Sequence, residues 1–331
     1  MKITNLFKVC LLTPMLSLTA ACASTTNAAS ATNATTADDV ALRSTEATSP
    51  HVSYDTTPTA YVEAEGIKYA YRSLGANNGG PPLVLLQHFT GTMDDWDPKV
   101  IEGLAQHRRV IIFDNAGIGR SGGKSPDSVQ GMAHNVEAFL DALKLEQVDL
   151  LGFSLGGFVA QQIVFEHPGR IRKVILAGTG PQGGPGIKDL QAVLGTATKK
   201  GAEQGVHPKG LLFFSESTAG KTAASAFLDR IGKHSVDADP AASNETVQAQ
   251  AKAIVTWGSV PANETKLQGV RLPVLVVNGN HDVMVPTANS ITLFQHIPSA
   301  QLVLYPDSGH GALFQYHEQF VASVDTFLRT P

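Results

Sequence analysis

The chain has 331 residues, 43% of them hydrophobic and 16% charged, with a formal charge of -4 at pH 7. That length and balance suit one large globular domain more than several small ones. The acidic balance and the scattered Lys and Arg leave no basic surface for nucleic acid, and the absence of an H-E-x-x-H pair, a P-loop or an internal repeat implies no metal and no cofactor.

Lys2 and Lys8 precede an apolar run, Val9-Cys10-Leu11-Leu12, that continues past Pro14 to Leu18 and gives way to small residues before Cys22. This is the arrangement of a secretory signal over 1–21, and the run is shorter than the ~20 residues a membrane span needs. Thr19-Ala20-Ala21-Cys22 resembles a bacterial lipobox, which implies cleavage before Cys22 and membrane attachment through a lipid on its thiol. Thr19 stands where leucine is usual, so simple cleavage after Ala23 is the other reading. Both imply export to the periplasm, the first with an outer-membrane anchor. Residues 22–53 are rich in Ala, Thr, Ser and Asn and lack the large apolar side chains of a core, which predicts a flexible tether. Cys10 and Cys22 are the only cysteines, so no disulfide supports the domain expected over 54–331.

Tyr61 to Leu74 predicts an antiparallel hairpin turning near Gly66. Leu83-Val84-Leu85-Leu86 is a buried-strand run that leads into Gln87-His88-Phe89-Thr90-Gly91-Thr92 and then Trp96, with a helix expected over about Asp94 to Ala105. A second strand, Val110 to Phe113, enters Asp114-Asn115-Ala116-Gly117-Ile118-Gly119-Arg120-Ser121-Gly122, and a helix follows over Ser128 to Leu143. Gly117, Gly119 and Gly122 spell G-x-G-x-x-G, as do Gly178, Gly180 and Gly183 after the strand Lys173 to Leu176. A dinucleotide site needs the third glycine inside an opening helix. The first copy runs on into Gly123-Lys124-Ser125-Pro126 and the second carries Pro181, so both are read as structural turns.

Between Gln147 and Leu151 another apolar strand runs into Gly152-Phe153-Ser154-Leu155-Gly156-Gly157 and a helical segment to His167. A serine bracketed by glycines at a strand-to-helix turn is a nucleophile elbow. Glycines at 152 and 156 let the turn hold Ser154 in a strained backbone without side chains striking neighbouring elements, and the helix N-terminus beside it favours a developing oxyanion. From Gly180 to Leu272 the strand rhythm lapses, and Leu211-Leu212-Phe213-Phe214 and Trp257 mark a mostly helical cap over about 181–270, its apolar residues read as cap core. The strand Val274 to Val277 then leads to Asp282, and the strand Gln301 to Tyr305 leads to His310, with helices expected over Thr287 to His296 and Phe314 to Leu328. An Asp after a strand is ordinarily a turn or cap residue and a lone His a structural one. Serine, acid and histidine in that order, each past the carboxyl end of a strand, form a triad constellation. His281 is the rival base and Asp307 the rival acid; Asp307 lies too close to His310 to come from a separate strand.

Over residues 60–330 these motifs together resemble the α/β-hydrolase superfamily, in its serine-nucleophile branch of esterases, lactonases and cofactor-free haloperoxidase-like enzymes. The resemblance implies an α/β fold, a mostly parallel sheet flanked by helices, with a helical cap insertion. It implies a turn of the Asp-x-x-Gly-x-Gly-x-Ser kind at Asp114 to Ser121, and an oxyanion hole built from the Leu155 N–H and a donor after the first parallel strand. Family members carry His-Gly-aromatic there, whereas this chain has Gln87-His88-Phe89, which leaves the Phe89 N–H as the donor. His88, Phe153 and Trp96 are candidate pocket residues. The reading is a serine hydrolase that cleaves a small ester or lactone, with Ser154 as nucleophile, His310 as base and Asp282 as its orienting acid. Perhydrolysis or haloperoxidation on the same triad, and ligand binding without catalysis, are the alternatives.

Overall fold

The computed structural model describes residues 53–75, 80–233 and 237–330. The expected signal over 1–21, the lipid site Cys22 and the tether as far as residue 52 lie outside the described residues. None of the described helices is long and apolar enough to cross a membrane.

The expected hairpin is β1 (Ala60–Ala64) and β2 (Ile67–Leu74), turning through Glu65 and Gly66, both at positive φ. The parallel strands follow as β3 (Leu83–Leu86), β4 (Val110–Phe113), β5 (Val148–Phe153), β6 (Ile171–Ala177), β7 (Val274–Gly279) and β8 (Ala300–Tyr305). They form one sheet in the order β1-β2-β4-β3-β5-β6-β7-β8, antiparallel at β1/β2 and β2/β4 and parallel throughout the rest. Strands β3, β4, β5 and β7 are buried at every position, as sheets covered on both faces require, which is why they read as continuous apolar runs rather than alternating ones.

Helices α1 (Pro98–Ala105), α2 (Val129–Ala142) and α3 (Leu155–Glu166) connect the first strands. Ser128 caps α2 by accepting from the Gly131 N–H, and Asp97 caps α1 by accepting from the Lys99 N–H. The helix expected over about Asp94 to Ala105 is shorter, Pro98–Ala105, and is preceded by a 3-10 turn over Met93–Asp95 that ends at Trp96, because Pro98 supplies the first helical position of α1 and Asp97 must take the extended conformation of an N-cap. Between β6 and β7 lies the expected helical stretch, α4 (Leu190–Gln204), α5 (Pro208–Phe213), α6 (Thr218–Ile231), α7 (Asn244–Ser259) and α8 (Glu264–Gln268), here called the insert. Helix α9 (Ala288–His296) follows β7. The final helix is interrupted at Tyr316, giving α10 (Ala312–Gln315) and α11 (His317–Arg329).

Neither glycine triplet opens a helix at its third position: α2 starts at Val129 and the second copy leads only to a 3-10 turn over Ile187–Asp189. Asp114 organises the first loop instead. Its Oδ1 accepts from the Met93 N–H at 2.8 Å and its Oδ2 from the Arg120 N–H at 2.9 Å, while Ser121 Oγ donates to its carbonyl at 2.7 Å.

Candidate active site

Strand β5 delivers Ser154 to the carboxyl edge of the sheet at φ 55° and ψ -117°, a conformation an L-residue adopts only under constraint. Three bonds hold it there: its N–H donates to Ala177 O at 2.9 Å, its carbonyl accepts from Thr179 Oγ1 at 2.9 Å and from the Gly157 N–H at 2.8 Å. The flanking glycines are required by contact. A Cβ on Gly152 would lie 2.6 Å from Gly157 Cα, and one on Gly156 would overlap the Leu86 carbonyl at the end of β3. Ser154 precedes α3 without using its side chain as a cap, so its hydroxyl stays available at the positive end of a helix buried from Leu155 to Val164.

Asp282 and His310 come together from the ends of β7 and β8. Asp282 Oδ1 accepts from the Met284 and Val285 N–H groups at 2.8 and 2.9 Å, which aims Oδ2 at His310, 2.8 Å from its Nδ1. Both side chains are buried, and His310 Nε2 has no hydrogen-bond partner among the described residues. Ser154 Oγ therefore does not bond that nitrogen in this state. The two residues meet across one dipeptide after β6: Thr179 bonds Ser154, and a Cβ on Gly178 would lie 3.2 Å from His310 Nδ1 and 3.0 Å from the Phe153 ring. Catalytic hydrogen bonds are commonly loose until substrate binds.

The Phe89 and Leu155 N–H groups, one after β3 and one at the start of α3, have no acceptor among the described residues. The loop after β3 is bonded within itself. Gln87 accepts from the His88 N–H at 2.9 Å and donates to Thr92 O at 2.9 Å. His88 is buried, its Nδ1 2.9 Å from Phe89 O and its ring edge-on to Phe153 and Phe213, both at 5.4 Å. Burial, assisted by the Lys209 charge, lowers its pKa to about 4, so the ring is neutral and Nδ1 donates. Phe153 and Trp96 are fully buried and pack on one another and on Phe314.

The rival residues point elsewhere. His281 is exposed, and the Asp307 carboxylate accepts from Ser217 Oγ of the insert at 2.6 Å. Sequence reasoning missed the fastening of the insert to the site. Asp94 Oδ2 accepts from the Asp239 N–H at 2.7 Å, Asp95 pairs with Lys209, and Asp97 takes a forked bond from Arg230 at 2.5 to 3.1 Å. Phe213 O accepts from the Gly311 N–H at 2.8 Å, and Phe214 bridges Ser308, so the insert also braces the loop that carries His310. Gln250 of α7 reaches the Thr90 N–H. Its signal was a polar residue on the stripe formed by Thr246, Gln250, Ala253, Ile254 and Trp257, the buried face of α7.

A buried imidazole held by a carboxylate on one nitrogen and open on the other, beside a serine at a helix N-terminus, can accept a proton from a hydroxyl as it attacks a carbonyl. Comparison with known proteins bears on the fold that carries this arrangement. The family model described as "alpha/beta hydrolase fold" matches residues 81–315. The chain belongs to the alpha/beta hydrolase fold family. It is similar to the pimeloyl-[acyl-carrier protein] methyl ester esterase of Nitrosomonas europaea, 28% identical over 252 residues, which cover 74% of this chain and 95% of that protein. Similarity to the 2-hydroxymuconate semialdehyde hydrolase of Pseudomonas sp. (strain CF600) runs at 29% identity over 277 residues, 80% of this chain and 92% of the other. Among solved structures, an alpha/beta hydrolase fold protein from Chitinophaga pinensis is 40% identical with a TM-score of 0.78, covering 84% of this chain and 99% of that one.

Proposed function

We propose that the protein is a serine hydrolase acting on a small carboxylic ester or lactone through an acyl-enzyme on Ser154. The observation that carries this reading is the buried Asp282–His310 pair at 2.8 Å with Nε2 open, set beside a serine in strained geometry at a helix N-terminus. His310 Nε2 takes the hydroxyl proton as Ser154 Oγ bonds the carbonyl carbon, and the carbonyl electron pair moves onto oxygen. The Phe89 and Leu155 N–H groups stabilise that oxyanion. Collapse breaks the bond to the alkoxy group, which leaves with the proton from His310. Water, deprotonated by the same imidazole, then attacks the acyl carbon and releases the acid and free Ser154. Asp282 holds the imidazole with its proton on Nδ1 and stabilises the imidazolium formed in each half.

The reading is supported by the family membership and by a methyl ester esterase among the similar proteins. A fluorophosphonate probe should label the purified wild type and leave Ser154→Ala unlabelled; equal labelling of both would remove the assignment. We further propose export with lipid attachment at Cys22, which palmitate labelling of wild type against Cys22→Ala checks.

A further inference from the structure

The oxyanion loop carries a strained residue whose N–H is satisfied from outside the loop. Thr90 sits at φ 60°, the left-handed region that β-branched residues avoid, and it does so although Gly91 follows directly. Its N–H donates to Gln250 Oε1 at 2.7 Å, across 160 positions of sequence. Gln250 is buried at the middle of α7, 1% exposed. Helix α7 is tied to the sheet side at both ends: Thr246 Oγ1 donates to Gly117 O at 2.9 Å, Trp257 Nε1 to Gly180 O at 3.2 Å, and the Trp257 ring stacks on Phe158 of α3 at 5.3 Å. The acceptor therefore has a fixed position relative to α3, whose first N–H is the other proposed oxyanion donor.

The peptide between Phe89 and Thr90 is thus bonded at both poles. His88 Nδ1 holds its carbonyl oxygen at 2.9 Å and Gln250 holds its N–H at 2.7 Å. Because a peptide is planar, fixing both poles fixes the rotation on the carboxyl side of Phe89 Cα. The next peptide back, which carries the Phe89 N–H, is pinned at its carbonyl by the Gly91 N–H, 3.0 Å, and the peptide before that by Gln87 Oε1 at the His88 N–H. Resting on the hydrolase reading above, we infer that Gln250 is a positioning residue: the insert supplies the acceptor that aims the Phe89 N–H at the oxyanion.

Removing the acceptor lets Thr90 relax and turns the Phe89 N–H away, while the serine, histidine and aspartate stay in place. The experiment compares wild type, Gln250→Leu and Gln250→Glu as full-length purified protein, with p-nitrophenyl acetate as probe substrate. Loss of one oxyanion donor costs about 10²–10³ in kcat when complete, so partial misalignment in Gln250→Leu should lower kcat about 10- to 100-fold, with KM within about threefold and an unchanged melting temperature. Gln250→Glu, which keeps an oxygen acceptor at the same reach, should recover most of the loss at pH 8. Affinity for a trifluoromethyl ketone, which forms an oxyanion on Ser154, should fall in step with kcat, a readout a merely structural role would not move. Should the leucine variant fail to fold, Gln250→Ala carries the same expectation. Wild-type kcat in the leucine or alanine variant, or a glutamate variant no better than leucine, overturns the inference while fluorophosphonate labelling of the wild type still upholds the hydrolase reading. An unlabelled wild type removes that reading and this inference together.

Discussion

Replacing Gly152 by alanine places a methyl group where the first turn of α3 already lies. The new Cβ would stand 2.6 Å from Gly157 Cα and 2.7 Å from the Gly156 carbonyl carbon, both backbone atoms that no rotamer change can move. Carbon atoms rest at about 3.5–4.0 Å, so α3 must retreat by about 0.9 Å relative to β5. That retreat carries the Leu155 N–H and the Ser154 backbone away from the His310 loop, which is anchored independently through β8 and Phe213. A misplacement of about 1 Å costs on the order of 10²-fold in rate, about 2.7 kcal/mol of barrier, and overpacking costs about 1–3 kcal/mol in stability. The assay is the second-order rate constant for fluorophosphonate labelling, which needs no knowledge of the natural substrate, paired with a thermal melt. Gly195→Ala is the control, since Gly195 lies inside α4 with nothing within 4 Å of a Cβ. It should raise stability by about 0.5–1 kcal/mol and leave labelling unchanged. Wild-type labelling by Gly152→Ala would refute the argument that the elbow's geometry depends on bare backbone at that position.

Asp282→Asn should lower kcat by roughly 10⁴-fold, as loss of the correct tautomer does in other triads, with little change in melting temperature. The two backbone N–H groups on Oδ1 select the amide oxygen there, which turns the NH2 toward His310 Nδ1 and drives the ring proton to Nε2, where the serine's proton should go; more than a tenth of wild-type kcat would count against this. Asp239 gives a pH prediction. Burial, and then the Asp114 and Asp94 charges, raise its pKa to about 8, against the counteracting charges of Arg72 and Arg120. From about pH 4 upward the unfolded chain gives up this proton while the folded chain keeps it, so stability present at pH 4 is progressively lost toward pH 8. Asp239→Asn should match wild type near pH 4 and melt higher than wild type at pH 8, and identical melting profiles across that range would contradict it.

The sheet was legible because a strand buried on both faces needs an unbroken apolar run, and Leu83 to Leu86, Val110 to Phe113 and Val274 to Val277 have little else to become. The candidate residues Ser154, Asp282 and His310 stand out in the sequence for a related reason. Chemistry at the carboxyl edge of a parallel sheet places its residues in short loops directly after strands, and the sequence marks each strand's end. The break between the Met93–Asp95 turn and α1 escaped notice although Asp97-Pro98 is a good cap and first turn, because Val100, Ile101 and Leu104 extend a helical periodicity that the preceding residues could share. The partners of Lys209 and Arg230 were out of reach altogether, and for Gln250 the stripe of α7 marks the residue but not its partner. These partners lie 114, 133 and 160 positions away, and nothing local distinguishes a charged side chain that meets a carboxylate across the fold from one that meets water.

The backbone bond from the Gly311 N–H to Phe213 O has a consequence for engineering. A roof that merely covered a pocket could be traded between homologues to change what the enzyme accepts. Here the same stretch of chain also bonds the loop that carries His310, so a transplanted insert would arrive with a different His310 alignment. Redesign of this scaffold should therefore alter side chains on the existing helices and leave the main-chain course through Phe213 and Phe214 intact.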